Sequence, residues 1–329
     1  MTRPWAMISL GVLALVWLSA CERPRAAAPT PAPKIGLVRR GEGDPFWRGV
    51  RKGAMRGASE SGPIELIVPR GTAVGAEQAD LIRRLMAEKV AGIVISPLPD
   101  EPVVRALVEA RGAGIPIVLL DWHADMGQLM PDAATVSGAN RAAGAQAADY
   151  TAGLIEGGGA VLVIGDGAGD TGADERERGF VDRLAGKEGF RAVRSAPSPG
   201  PAQRGAQLAV EYGLAGTADC RAIFCPDRLS TLGALQALRD RSVVGKVVLV
   251  GCDTDPSLVE AMAAGEISAL IVQDGAAMGL SGVRIAAAKA RSRPAEPRVE
   301  TEAVLVTRAR MHDRENMDRL LPDLAGSGD

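Results

Sequence analysis

Lys34-Ile35-Gly36-Leu37-Val38-Arg39-Arg40-Gly41-Glu42-Gly43-Asp44-Pro45-Phe46-Trp47 opens with a short apolar run, breaks at glycines and restarts at Asp-Pro. From Trp47 to Ala58, apolar and charged side chains alternate at helical spacing, so the stretch predicts a strand, a loop and a helix. Asp44 takes the N-cap position and Pro45 the first helical turn, where a missing N–H is no loss. The loop therefore lies at the carboxyl end of a strand, which in open parallel sheets is where ligands bind. Phe46 and Trp47 project from this point in a chain with only 3% aromatic residues. A place in the core accounts for two bulky rings equally well.

The same alternation continues downstream. Strands are expected at 64–68, 92–96 and 115–120, with helices over 76–88 and 101–111 between them; the last strand stops at Asp121-Trp122-His123. Continuous Val/Ile/Leu runs, rather than alternating ones, argue for parallel strands buried on both faces. A short strand at 135–137 and a long helix over 140–155 lead into a second series. Its strands fall at 160–164, 190–195, 222–225, 247–250 and 269–272, each followed by a helical pattern, and a closing strand lies at 303–307. With 329 residues, two domains are the natural expectation. The fold class that follows is α/β, two doubly wound parallel-sheet lobes. Residues 310–329 read as a polar, partly frayed tail.

The front of the chain has a different character. Arg3 supplies a positive start, Ala6 to Leu18 are almost wholly apolar, and small residues follow, the pattern of an export signal over 1–21. The apolar run is short for a transmembrane helix. Leu18-Ser19-Ala20-Cys21 resembles the lipobox of bacterial lipoproteins, which implies acylation of Cys21 and attachment to the membrane through it. Residues 22–33, rich in proline and alanine, read as a disordered tether. Cys220, Cys225 and Cys252 form an odd set; Cys225 and Cys252 end consecutive predicted strands and either pair or serve as small buried hydrophobes. The net charge of −2, without basic tracts, excludes nucleic acid as a partner.

From Lys34 to Arg308 the chain resembles the type I periplasmic solute-binding proteins, in particular their ribose-binding branch. The resemblance rests on Asp44-Pro45-Phe46-Trp47, Ile115-Pro116-Ile117-Val118-Leu119-Leu120-Asp121, Arg176-Glu177-Arg178-Gly179-Phe180, Leu232-Gly233-Ala234-Leu235-Gln236-Ala237-Leu238 and Val250-Gly251-Cys252-Asp253, in that order, with Gln273 on a crossing strand. It implies discontinuous lobes joined by a three-crossover hinge: 34–138 plus 274–302, and 139–273 plus 303–309. It also implies a monomeric, lipid-anchored receptor in the periplasm or at the cell surface, delivering a small polar solute to an ABC permease. A sensory output through a membrane receptor is the alternative.

Carried over position by position, the resemblance implies a ligand site of Asp44, Phe46, Trp47, Asp121, Trp122, Asp174, Asp227, Asp253 and Gln273. Asp174 and Trp122 stand where the branch has arginines. Trp47 and Trp122 are the only tryptophans beyond the signal segment, both in loops after predicted strands, and are expected to face a sugar across the gap. Several aspartates in one cleft repel one another, and burial would raise their pKa values. A cation should offset them, either Arg39 or Arg40 in the protein or a basic group on the ligand. The expected ligand is a neutral sugar or polyol, with an amino-bearing solute second. Strand-ending aspartates such as Asp121, Asp227 and Asp253 also cap helices and turns.

No catalytic constellation emerges, and no enzyme, cofactor or metal site is expected. Gly165-Asp166-Gly167-Ala168-Gly169 lacks the lysine and Ser/Thr of a phosphate loop, and Asp166, Asp170 and Asp174 lack a calcium-loop pattern. His123 and His312 have no nucleophile or metal partner near in sequence. An export segment also stands where a repressor of related fold would need its DNA-binding domain.

Overall fold

The computed structural model describes residues 31–72, 74–122, 130–165, 171–195 and 202–321. The expected export signal, Cys21, most of the tether, His123 and loop residues 166–170 lie outside the described residues.

The first series of apolar runs forms β1 (Lys34–Val38), β2 (Glu65–Ile67), β3 (Gly92–Ile95), β4 (Ile117–Leu120) and β5 (Ala134–Gly138). Helices α1 (Pro45–Glu60), α2 (Gly75–Ala87) and α3 (Glu101–Gly112) connect them. The second series runs α4 (Asn140–Leu154), β6 (Gly159–Val163), α5 (Thr171–Ala185), β7 (Phe190–Arg194), α6 (Ala202–Gly216), β8 (Cys220–Phe224) and α7 (Arg228–Asp240). It continues through β9 (Val248–Cys252), α8 (Pro256–Ala264) and β10 (Ala269–Gln273). Then come α9 (Gly275–Ala290), β11 (Arg298–Thr301), β12 (Ala303–Thr307) and a short α10 (Arg314–Leu320).

These strands make two six-stranded sheets, ordered β11-β5-β4-β3-β1-β2 and β12-β10-β9-β8-β6-β7. Every pair in the first is parallel; in the second only β12 runs antiparallel, against β10. Central strands such as β3 and β4 are buried along their whole length, because helices cover both faces of each sheet. In the first lobe α2 and α3 pack on one face and α1 and α9 on the other. In the second, α4 and α5 take one face and α6, α7 and α8 the opposite one.

The chain passes between the sheets three times, at Ala139, Asp274 and Glu302. The crossing segments are bonded to each other: Ala139 N–H donates to Thr301 O at 2.9 Å and Asp274 N–H to Glu302 O at 3.1 Å.

Two features were not legible beforehand. β11, Arg-Val-Glu-Thr, is a short polar edge strand whose outer side chains face solvent, so it lacks the apolar run that marks the others. The stretch read as a polar tail folds back over 311–320: Met311 and Leu320 are buried in the second lobe's core, at 3% and 1% exposure.

Candidate functional site

Asp121 and Asp253 follow β4 and β9, the strands that occupy the same place in the two sheets. Both adopt left-handed backbone, with φ of 48° and 66°, a region that L-residues other than glycine seldom occupy. The surroundings hold them there in the same way. Each backbone N–H donates to the next strand, Asp121 to Val136 O at 2.8 Å and Asp253 to Ile271 O at 2.7 Å. Each carboxylate accepts from a side-chain amide, Asn140 Nδ2 to Asp121 Oδ1 at 3.1 Å and Gln273 Nε2 to Asp253 Oδ1 at 2.7 Å. Two carboxylates at equivalent strand ends, strained and pinned, are the kind of arrangement that clusters at ligand sites.

The amides sit at the crossings. Asn140 begins α4 just after the first crossing, and Gln273 ends β10 just before the second. They flank Gly138, where a Cβ would lie 3.2 Å from both Asn140 Oδ1 and Gln273 Oε1. Asn140 Oδ1 in turn accepts from Arg176 Nη1 at 2.6 Å, and Arg176 Nε donates to Pro226 O at 2.6 Å. Arg176 is 1% exposed, and these bonds help hold its guanidinium in place beside Asn140 and Pro226. Gly172, near the start of α5, lies against Asp121; a Cβ there would come within 2.8 Å of its Oδ2.

Asp44 closes a second connection. It caps α1, with Oδ1 accepting from Phe46 N–H at 2.8 Å, while Oδ2 meets Arg228 Nε at 3.0 Å. Arg228 belongs to the second lobe and also reaches Asp255 Oδ2 at 3.4 Å.

A cavity of about 530 Å³ opens where α1 and the start of α9 meet residues of the second lobe, and Phe46, Asp253, Thr254, Gln273 and Lys52 line it. Gln273 Oε1 is buried without a hydrogen-bond partner among the described residues, and so is Trp122 Nε1. One is an acceptor and the other a donor, a combination that hydroxyl groups satisfy.

The remaining expected residues are held by local contacts. Trp47 is half-buried against the α1/α9 core, edge-on to Phe46 with ring centroids 4.8 Å apart. Trp122 is 6% exposed in the α2/α3 core. The two tryptophans thus pack on opposite faces of the first sheet rather than as a facing pair. Asp227 caps α7, both its oxygens accepting from Ser230: the backbone N–H at 2.9 Å and Oγ at 2.6 Å. Asp174 lies half-buried in the first turn of α5. Arg39 pairs with Glu42 at 2.9 Å, and Arg40 donates to Pro97 O at 2.8 Å. Cys225 and Cys252 form no disulfide, and both are fully buried; burial, reinforced by Asp227, pushes the Cys225 thiol well above the ordinary range. Among the described residues no group of three or more His, Cys, Asp or Glu side chains is placed to hold a metal ion.

A family model of the periplasmic binding protein domain matches residues 35–294. The chain belongs to that family. It is 25% identical over 260 residues to the D-allose-binding periplasmic protein of Escherichia coli, covering 77% of this chain and 83% of that protein. It is 28% identical over 240 residues to the ribose import binding protein of Haemophilus influenzae, covering 73% and 80%. An Agrobacterium vitis ABC transporter solute-binding protein, solved with α-D-tagatopyranose, superposes with a TM-score of 0.79 at 22% identity, covering 88% of this chain and 99% of that one.

As a periplasmic binding protein, the chain carries three residues in its interlobe network that sequence reasoning missed: Asn140, Arg176 and Arg228. Arg228 left a readable signal, since a cation at the first position of a helix opposes the macrodipole and needs another reason to be there. Arg176 was visible in the Arg-x-x-Gly-Phe stretch but without a role. Asn140 carried no signal beyond a polar residue at the expected helix start.

Proposed function

We propose that this periplasmic binding protein encloses a neutral sugar or polyol between its lobes and delivers it, as a monomer, to the permease of an ABC importer. The observation that carries the reading is the matched pair Asp121 and Asp253, each pinned by an amide in left-handed backbone at the same strand end of its lobe. Carboxylates fixed in this way accept hydrogen bonds from sugar hydroxyls, while Gln273 Oε1, without a partner among the described residues, takes one more. The names of the D-allose- and ribose-binding relatives support the same ligand class. In this reading Asp253, Gln273 and Phe46 contact ligand directly, Asp121 shares the opposite side, and Asp227 and Asp44 serve mainly as helix caps. Trp47, Trp122, Asp174 and Arg40 border the cleft. Acylation of Cys21 would tether the protein to the membrane on the extracytoplasmic side.

Isothermal titration with D-allose, D-ribose, D-tagatose, myo-inositol and D-glucosamine tests the ligand class. At least one neutral member should bind with a Kd in the micromolar range or tighter, about −8 kcal/mol. Binding of D-glucosamine alone, or of none of the five, would count against the reading. In cells producing the full chain, Cys21→Ala should move the protein out of the membrane fraction.

A further inference from the structure

Arg228 stands at the first position of α7, directly after the Asp227 cap, where the helix dipole disfavours a positive charge. Two carboxylates hold it there. Asp44 and Asp255 each cap a helix with Oδ1, Asp44 through Phe46 N–H at 2.8 Å and Asp255 through Ser257 N–H at 3.0 Å. Each then turns Oδ2 to the guanidinium, at 3.0 and 3.4 Å. All three side chains are about three-quarters buried, with 23%, 25% and 22% of their surfaces exposed. Asp44 belongs to the first lobe, Arg228 and Asp255 to the second, so one guanidinium joins helix caps on both sides of the gap.

We propose that Arg228 determines the charge class of the solute and holds the two lobes together before the solute arrives. The guanidinium occupies the place that an ammonium group on a ligand would otherwise take between Asp44 and Asp255, and it repels a second cation. Without it, the two carboxylates confront each other across the gap, which favours the open state and offers a site to a cationic ligand. The selectivity half of the proposal rests on the sugar-binding reading; the closure half does not.

Two measurements on Arg228→Gln separate the halves. Small-angle scattering of sugar-free protein at low salt should give a larger radius of gyration for Arg228→Gln than for the wild type. Adding Asp44→Asn to Arg228→Gln, which removes the opposed charge, should reverse part of that expansion. In titrations, the ratio of the D-glucosamine Kd to the Kd of the tightest-binding neutral panel member should fall by about tenfold in Arg228→Gln, while far-UV circular dichroism stays unchanged. Equal radii in wild type and variant would overturn the closure role, whatever the ligand proves to be. An unchanged ratio would overturn the selectivity role. If no neutral member of the panel binds the wild type, the ligand class falls while the scattering result still decides closure.

Discussion

Asp121 and Asp253 pay a conformational cost that glycine would avoid, since left-handed backbone at an L-residue costs about 1 kcal/mol or more. Nothing in the strand geometry requires a carboxylate at these positions, because the turn needs only the positive φ. The strain therefore marks side chains kept for what they touch. Asp253→Gly relieves the backbone but loses the hydrogen bond from Gln273, contributions of similar size and opposite sign, so stability should change by no more than about 1.5 kcal/mol. Sugar binding should weaken at least tenfold, the equivalent of about 1.4 kcal/mol from one lost charge-assisted contact. Denaturant unfolding and titration on the same sample check this; a variant that binds as tightly as the wild type removes Asp253 from the site. Both aspartates were readable in the sequence as residues ending strands. Their backbone strain was not, because it depends on the hydrogen bonds to Val136 and Ile271, which only the folded sheets provide.

Helix pairs repeat the pseudo-symmetry of the aspartates. In the first lobe α1 packs on α9 through Gly53 and Gly279; in the second, α4 packs on α5 through Gly144 and Gly179. At Gly279 a Cβ would lie 1.9 Å from Val50 O, and at Gly144 2.0 Å from Arg176 O, both immovable backbone atoms. In each lobe these contacts press a helix that begins at a crossing, α9 or α4, hard against a neighbour, α1 or α5, which fixes the distance from the cleft loops to the hinge. Gly279→Ala should therefore force α1 and α9 apart at a cost of about 1–3 kcal/mol. Gly153→Ala, on α4 with open space around it, should instead stabilise by about 0.5–1 kcal/mol. Thermal unfolding of the two variants decides; equal shifts would refute the close-packing account. The elements themselves were legible because runs such as Gly92-Ile93-Val94-Ile95 and their helical spacers announce a parallel sheet wound on both faces. The folded-back stretch escaped notice because Met311 and Leu320, which enter the core, are apolar residues scattered through a charged segment.

Across the whole molecule, the order of segments makes each lobe depend on chain from both ends. The first lobe is completed by α9 and β11, which follow five of the second sheet's six strands, and the network Asp121–Asn140–Arg176–Pro226 spans the gap near the crossings. A solute bound between Asp121 and Asp253 touches both lobes, and so stabilises both folded states by RT ln(1 + [L]/Kd), about 2.7 kcal/mol at a hundredfold excess over Kd. The placement of tryptophan allows the lobes to be followed separately. Beyond the export segment Trp47 and Trp122 are the only indoles, and both belong to the first lobe's core, so their fluorescence reports that lobe alone. Far-UV circular dichroism reports the helices of both. In protein lacking residues 1–21, saturating sugar from the titration panel should move the fluorescence and dichroism transitions in urea to higher midpoints together, leaving them coincident. A shift confined to the fluorescence transition would place the solute on the first lobe only; one confined to the remaining dichroism change would place it on the second. Either result removes the interlobe cleft as the site, because a molecule held by both aspartates cannot leave one lobe's stability untouched.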